Sequence, residues 1–225
     1  MEPNYCQTIV DNIKDTDILF FNGIRHFQDG CVETWTLEEC NCNTRLEMEK
    51  VILHMRVNDS RSLFFGFTWC KALRGEIIRK YDIRFIEGTA YCEDVMFAIN
   101  YCLKVERLKY ITDNIYNYRN SSTGLSTAWK SPEASLLLIK SIGEILNKLT
   151  YPGLIQYFKE WVSKTILPNA VFAESNLHKR KNIINQAKRL CNKYGFEFPK
   201  KEIIKRTGKT ILKGTFNKIC SIIVK

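Results

Sequence analysis

The sequence predicts an α/β chain, with a mixed sheet flanked by helices over residues 1–125 and an all-helical region over 126–225. Three observations carry this. In the first half, apolar and β-branched runs alternate with stretches of helical period, whereas in the second half the apolar runs keep helical period throughout. The charge divides at the same place. Residues 1–125 hold 15 basic and 18 acidic side chains and residues 126–225 hold 19 and 6, so the net charge of +10 comes from the second half. Finally, 225 residues with 45% hydrophobic side chains, 5 Pro and 11 Gly can bury a sizeable core, which excludes a disordered chain, a collagen-like repeat and a disulfide-stapled miniprotein.

The elements follow in order. Residues 18–21 and 24–27 read as a strand and 31–36 as a second, with Asp29-Gly30 between them as the hairpin turn. Leu46, Val51, Ile52 and Met55 mark a helix over 45–55, and Leu73, Ile77 and Ile78 mark another over 71–81. A short strand is expected over 83–86, a helix over 95–105, and strands over 108–111 and 115–118. Helices are expected over 134–149, 154–166, 177–194, 200–206 and 211–224, separated by Tyr151-Pro152-Gly153, Pro168 and Phe198-Pro199. No internal repeat or low-complexity tract is visible.

No run of eighteen apolar residues and no secretory leader is visible, so a cytoplasmic protein is expected. Nine cysteines without a C-x-x-C pair, mostly among apolar neighbours, read as reduced core thiols. Cys40 and Cys42 with His26 or His54 have poor zinc spacing, and no metal is expected there. The basic second half suits a phosphate-rich polymer or an anionic membrane face. In 205–225, Ile211, Leu212, Phe216, Ile219, Ile222 and Ile223 lie broadly on one side, ringed by lysines. That segment suits either a peripheral helix on the inner face of a membrane or a helix packed on the core with a solvated basic face. Nucleic acid is not expected, because no reader motif is recognisable and aromatic residues are not interleaved with the basic ones. Gly208-Lys209-Thr210 lacks the upstream glycine of a phosphate loop.

Two adjacent carboxylates, Glu93 and Asp94, open the predicted helix before Val95-Met96-Phe97. Acidic residues in a first turn satisfy free N–H groups and suit the macrodipole. Alternatively, the helix start holds a carboxylate ionised and aimed at a cleft, as a general base requires. Read by residue type alone, Trp69 suits a core aromatic, and Lys71 and Arg119 suit solvated or structural cations.

The ordered set Trp69, Lys71, Phe85, Glu87, Gly88, Glu93, Asp94, Tyr116, Tyr118, Arg119, Ser121 and Ser122 resembles the second half of the catalytic domain of family 2 glycosyltransferases of the GT-A fold. The resemblance implies a partial GT-A-like sheet followed by a helical extension. It implies inverting transfer of a sugar from a nucleotide-sugar donor to a glycan acceptor, in cell-surface polysaccharide synthesis. Asp94 would be the catalytic base and Glu93 its support, while Trp69, Lys71, Tyr118, Arg119 and Ser122 would meet acceptor or donor.

The opening Met1-Glu2-Pro3-Asn4-Tyr5 is similar to the residues that follow the family's acidic metal motif. The resemblance therefore implies that the chain begins after that motif, with the nucleotide-binding βαβ units, about 100 residues, missing. A divalent metal, Mg or Mn, is expected for the intact family and none for this chain alone. Asp15-Thr16-Asp17 spells an Asp-x-Asp, but in the family this pair ends a helix rather than facing the donor. Loss of neighbouring strands would leave 18–21 as an exposed apolar edge open to self-association. A catalytically silent chain that binds a glycan, a partner or a membrane is the rival reading.

Overall fold

A computed structural model describes residues 2–35, 41–57, 66, 68–89, 92–120 and 131–206. Helix α1 (Tyr5–Asn12) leads into strand β1 (Ile18–His26), which is followed by β2 (Val32–Trp35), β3 (Asn41–Cys42) and helix α2 (Arg45–Val57). Next come β4 (Lys71–Leu73), α3 (Gly75–Lys80), α4 (Glu93–Cys102) and the long strand β5 (Leu108–Arg119). The rest is helical: α5 (Pro132–Leu146), α6 (Pro152–Trp161), a π-helical turn over Val162–Ile166, α7 (Leu167–Ala173) and α8 (Leu177–Tyr194), with a last helical stretch over 200–206. The α/β class and the mixed sheet flanked by helices are as the alternation of apolar periods predicts.

The sheet runs β2-β1-β5-β3, with β4 also on β1. One edge of β1 pairs in parallel with β5, while its other edge is shared, 18–20 by β4 and 23–26 by β2, both antiparallel. Ile18, Leu19, Phe20 and Phe21 are therefore flanked on both sides and fully buried. This corrects the expected apolar edge at 18–21: the neighbour is β4, a segment whose apolar spacing predicts a helix. The tight turn between β1 and β2 is made by Asp29, whose carboxylate accepts from the Cys31 N–H, and by Gly30 at φ 85°.

Alternation along β1 gives each face its own cover. Leu19 and Phe21 join Ile111 and Ile115 in one cluster, and Tyr5, Ile9 and Ile13, one helical turn apart, pack against it. Helix α4 is apolar nearly all round, with Val95 to Ile99, Tyr101 and Cys102 buried. The Tyr101 hydroxyl fixes α4 to the sheet: it donates to the Asp17 carbonyl at 2.7 Å and accepts from the Arg74 N–H at 2.9 Å.

Several expectations are corrected. Residues 71–73 form a strand, because pairing with β1 overrides a helical period; the helix begins only at Gly75. Residues 83–86 form no strand: Ile83 is buried as an anchor while Phe85 stands half exposed. The pairs 18–21/24–27 and 108–111/115–118 are each one continuous strand. Pro168 does not separate helices, because it lies in the first turn of α7, where a missing N–H costs little, directly after the π-helical turn. Cys42, Cys70, Cys102 and Cys191 are buried free thiols, but Cys6 and Cys31 are exposed; Cys40 and Cys220 lie outside the described residues.

By contacts the chain divides into two units, one comprising Met1–Trp129 and Ser141–Phe158, the other Lys130–Lys140 and Lys159–Lys225. Within the first, Glu49 of α2 is 1% exposed and ties down the turn before α6. Its carboxylate accepts from the Thr150 and Tyr151 N–H groups at 2.9 and 2.7 Å and from Arg45 Nε at 2.8 Å. Burial pushes this carboxyl up, but the Arg45, Tyr151 and Thr150 donors outweigh it and hold it below the usual range.

Glu49→Gln should lower stability at pH 7 by about 2 kcal/mol, because charge-assisted bonds become neutral ones. A folded carboxyl below its unfolded range contributes fully at neutral pH and loses that contribution as pH falls through its folded value. Urea midpoints of the two proteins should thus converge as pH falls below the usual carboxylate range and through the lowered folded value. A gap independent of pH would contradict this role.

Candidate functional site

The candidate residues lie just before and in β4, at the start of α4 and at the end of β5. A β-bulge interrupts the pairing of β1 with β5. The register of β1 on β5 shifts on both sides of Asn22, so that Phe21 lies opposite Ile111 but Gly23 lies opposite Tyr116. Asn22 is fully buried, yet its amide donates to the Thr112 carbonyl at 2.9 Å and its carbonyl accepts from the Tyr110 hydroxyl. The buried Asn22 side chain is thereby hydrogen-bonded at both its amide nitrogen and its oxygen.

Beyond the bulge, Trp69 lies flat over the sheet. Its ring stacks on Tyr116 at 5.1 Å and 20° and on Tyr118 at 5.2 Å and 26°. Residues 116 and 118 share a face because strand side chains repeat every second position. Gly23 leaves room for this: a Cβ there would collide with the Trp69 ring. Trp69 is half-buried, so the aromatic group is a partly open platform rather than a sealed core residue.

Lys71 is 7% exposed. Its ammonium lies 4.8 Å from the Phe20 ring centre, donates to Cys70 Sγ at 3.4 Å and is felt electrostatically by Asp94. Asp94 sits in the first turn of α4, half-buried, and accepts from the Val95 N–H at 2.7 Å. Burial raises its carboxyl above the usual range and the Glu93 charge adds to this; the Val95 N–H and Lys71 pull the other way without cancelling it. Cys92 precedes the helix at φ 60° and ψ 18°, a left-handed conformation that costs a non-glycine residue on the order of 1 kcal/mol.

The structure thus stacks Trp69 on Tyr118, while Lys71 acts on Asp94 electrostatically. Glu93 is half-buried beside Asp94, and adjacent helical residues point in different directions. Arg119 is exposed at the last position of β5, opposite His26. Ser122 lies outside the described residues. Tyr116 and Gly23 are not among the site residues expected from the sequence. Their signals are the Tyr116/Tyr118 alternation and a glycine inside a strand pattern.

The divalent metal implied by the family resemblance has no fitting donor set among the described residues. Asp17 ion-pairs with Arg107 at 2.9 Å and accepts from the Glu106 and Arg107 N–H groups, so its oxygens are committed, while Asp15 is exposed. No cluster of three or more His, Cys, Asp or Glu able to hold a metal ion occurs among those residues.

No protein-family model matches the chain, and no curated protein does. Among solved structures, the fold is glycosyltransferase-like. The chain is similar to the crystal structure of S. aureus TarS 1–349 in complex with UDP-GlcNAc, at 14% identity and a TM-score of 0.53. The match covers 85% of this chain and 54% of that one, so the chain spans about half of the neighbour's length.

Gly23→Ala should displace Trp69 and cost about 1–3 kcal/mol, the range for overpacking. Near-UV circular dichroism should lose the same signal in Gly23→Ala as in Trp69→Phe. An unchanged spectrum in Gly23→Ala would show that the ring does not depend on the glycine.

Proposed function

We propose that this chain is an inverting glycosyltransferase of the family 2 type, transferring a sugar from a nucleotide-sugar donor to a glycan acceptor in cell-surface polysaccharide synthesis. The observation that carries the reading is Asp94. It is a carboxylate set at a helix start, raised by burial and felt electrostatically by the buried Lys71, in a chain that also stacks Trp69 on Tyr116 and Tyr118. The glycosyltransferase-like fold and the ordered motif from Trp69 to Arg119 support it.

In this reading Asp94 takes the proton of the acceptor hydroxyl as that oxygen bonds to the anomeric carbon. The bond from that carbon to the nucleoside diphosphate breaks on the opposite face, so the configuration inverts. A base with a raised pKa matches this task, because its affinity for the proton is needed only as the hydroxyl becomes an alkoxide. The Val95 N–H and the Lys71 charge partly offset the upward push of burial and of Glu93 on the Asp94 carboxyl. Trp69, with Tyr116 and Tyr118 beneath it, offers a flat apolar face to a sugar ring. Tyr118, Arg119 and Ser122 belong to the acceptor or donor side. The donor-binding and acceptor-binding roles, the cytoplasmic location and a peripheral contact of 205–225 with an anionic membrane are parts of the same proposal. Among the described residues no helix is long and apolar enough to cross a membrane.

UDP-GlcNAc, the ligand of the TarS complex, is the first donor to try with the 225-residue protein. Asp94→Asn should keep its fold and its donor binding while transfer falls by about 100-fold or more. Near-normal turnover in Asp94→Asn would remove Asp94 from the chemistry. Glycan binding without turnover in the wild type would replace the enzyme reading with a binding module.

Activity should fall on acidification as Asp94 takes up its proton, with the acid limb lying above the usual carboxylate range. Lys71→Gln removes a group that lowers the Asp94 pKa, so the limb should move to higher pH, not lower. A pH–rate profile of both proteins reads this directly.

A further inference from the structure

A cleft of about 710 Å³ opens at the C-terminal end of α4, the end away from Glu93 and Asp94. Its walls are the loop 81–86, the residues 100–104, Arg45 of α2 and Lys148. The volume is within the usual range of ligand sites. Four cations line it, Arg45, Arg84, Lys104 and Lys148, against the one carboxylate of Asp82. Arg45 is committed to Glu49 and to the Cys102 carbonyl, and Arg84 to Asp82 at 2.7 Å. Lys104 and Lys148 remain: both are exposed, and among the described residues neither has a carboxylate at ion-pair distance.

The same walls carry two exposed aromatic rings. Phe85 is 49% exposed, with one face stacked on Phe97 at 4.3 Å and 13°. Tyr81 is 42% exposed, with the Lys104 ammonium 5.0 Å from its ring centre. The loop that presents them is held in place. Ile83 is buried beneath it and its N–H donates to the Ile78 carbonyl at 3.0 Å, while Asp82 is fixed at φ 45°. A backed aromatic face beside ammonium groups without carboxylate partners matches a ligand with an apolar C–H face and an acidic group on one small ring.

We propose that this cleft is a binding site for an anionic saccharide, with Phe85 under the sugar ring and Lys104 and Lys148 on its carboxylate, sulfate or phosphate. The site is separate from Asp94 and does not depend on the chain being an enzyme. From Asp94 to Asn100 the helix rises about 9 Å, so a saccharide held here is anchored away from the carboxylate pair.

The test is calorimetric titration of the full 225-residue protein with a heparin-derived hexasaccharide, with maltohexaose as the uncharged counterpart and inorganic triphosphate as a sugar-free anion. Lys104→Gln/Lys148→Gln should weaken hexasaccharide binding roughly tenfold or more, and maltohexaose should bind far more weakly than the hexasaccharide. Phe85→Leu, which keeps apolar bulk but loses the flat face, should weaken the hexasaccharide and leave triphosphate unchanged. Thermal unfolding of each variant checks that the fold is intact. An equal loss in the exposed control pair Lys179→Gln/Lys181→Gln would reduce the effect to net charge and overturn the site. An unaffected Phe85→Leu would leave a plain anion site and overturn the saccharide assignment. So would the absence of hexasaccharide binding on the order of 1 mM.

Discussion

The parallel pairing of β1 with β5, interrupted once at Asn22, is the constraint on which the rest of the first unit depends. Below the bulge the two strands place Ile18, Phe20, Leu108 and Tyr110 in the core, all at most 1% exposed. Above it the register shift turns the pair so that a glycine meets Tyr116 and an indole lies across both tyrosines. A buried amide in the middle of a sheet is costly unless every polar atom finds a partner. Asn22 has Thr112 and Tyr110, both on β5, so the group that breaks the register also locks it. One polar side chain thus separates the packing part of the sheet from the part that displays a surface.

The carboxylate pair at the start of α4 shows how two physical roles coexist in two residues. Acidic groups at a helix start would ordinarily be stabilised there by the macrodipole and by free N–H groups. Asp94 does accept from Val95, yet its carboxyl is raised, because burial and the Glu93 charge outweigh that bond and the Lys71 cation. A capping residue gains nothing from being raised in this way, whereas a proton acceptor does. Glu49 is the instructive opposite. It is equally a carboxylate at a helix start, here that of α6, and it too is buried, but its backbone donors and Arg45 win. Within one unit the donors decide which buried carboxyl is held below the usual range and which is left above it.

Much of this organisation is legible in the sequence because it rests on local periodicity. The apolar runs of β1 and β5, the helical spacing of α2, α4 and α8, and the Asp29-Gly30 turn are all set by residues within a few positions of one another. The elements that local pattern misplaces are those whose conformation is decided by a distant neighbour. Lys71, Ala72 and Leu73 have a helical period but are captured by the free edge of β1. Residues 83–86 have strand composition but pair with no strand among the described residues. Pro168 looks like a break, but the π-helical turn before it lets the helical path continue. The positive charge of the second half gives no hint that 141–158 pack with the first unit.

The sequence by itself determined the α/β class and the position of the Glu93–Asp94 pair at a helix start, since these follow from periodicity and spacing along the chain. Only the tertiary structure decided that Trp69 rests on Tyr116 and Tyr118 in the space left by Gly23, that Lys71 is buried and acts electrostatically on Asp94, and that two lysines and two exposed rings share a cleft at the far end of α4. The reason is that burial and charge act through space. A carboxyl is raised, or a cation brought to a ring, by residues tens of positions away, and their arrival is fixed by strand pairing that no local pattern encodes.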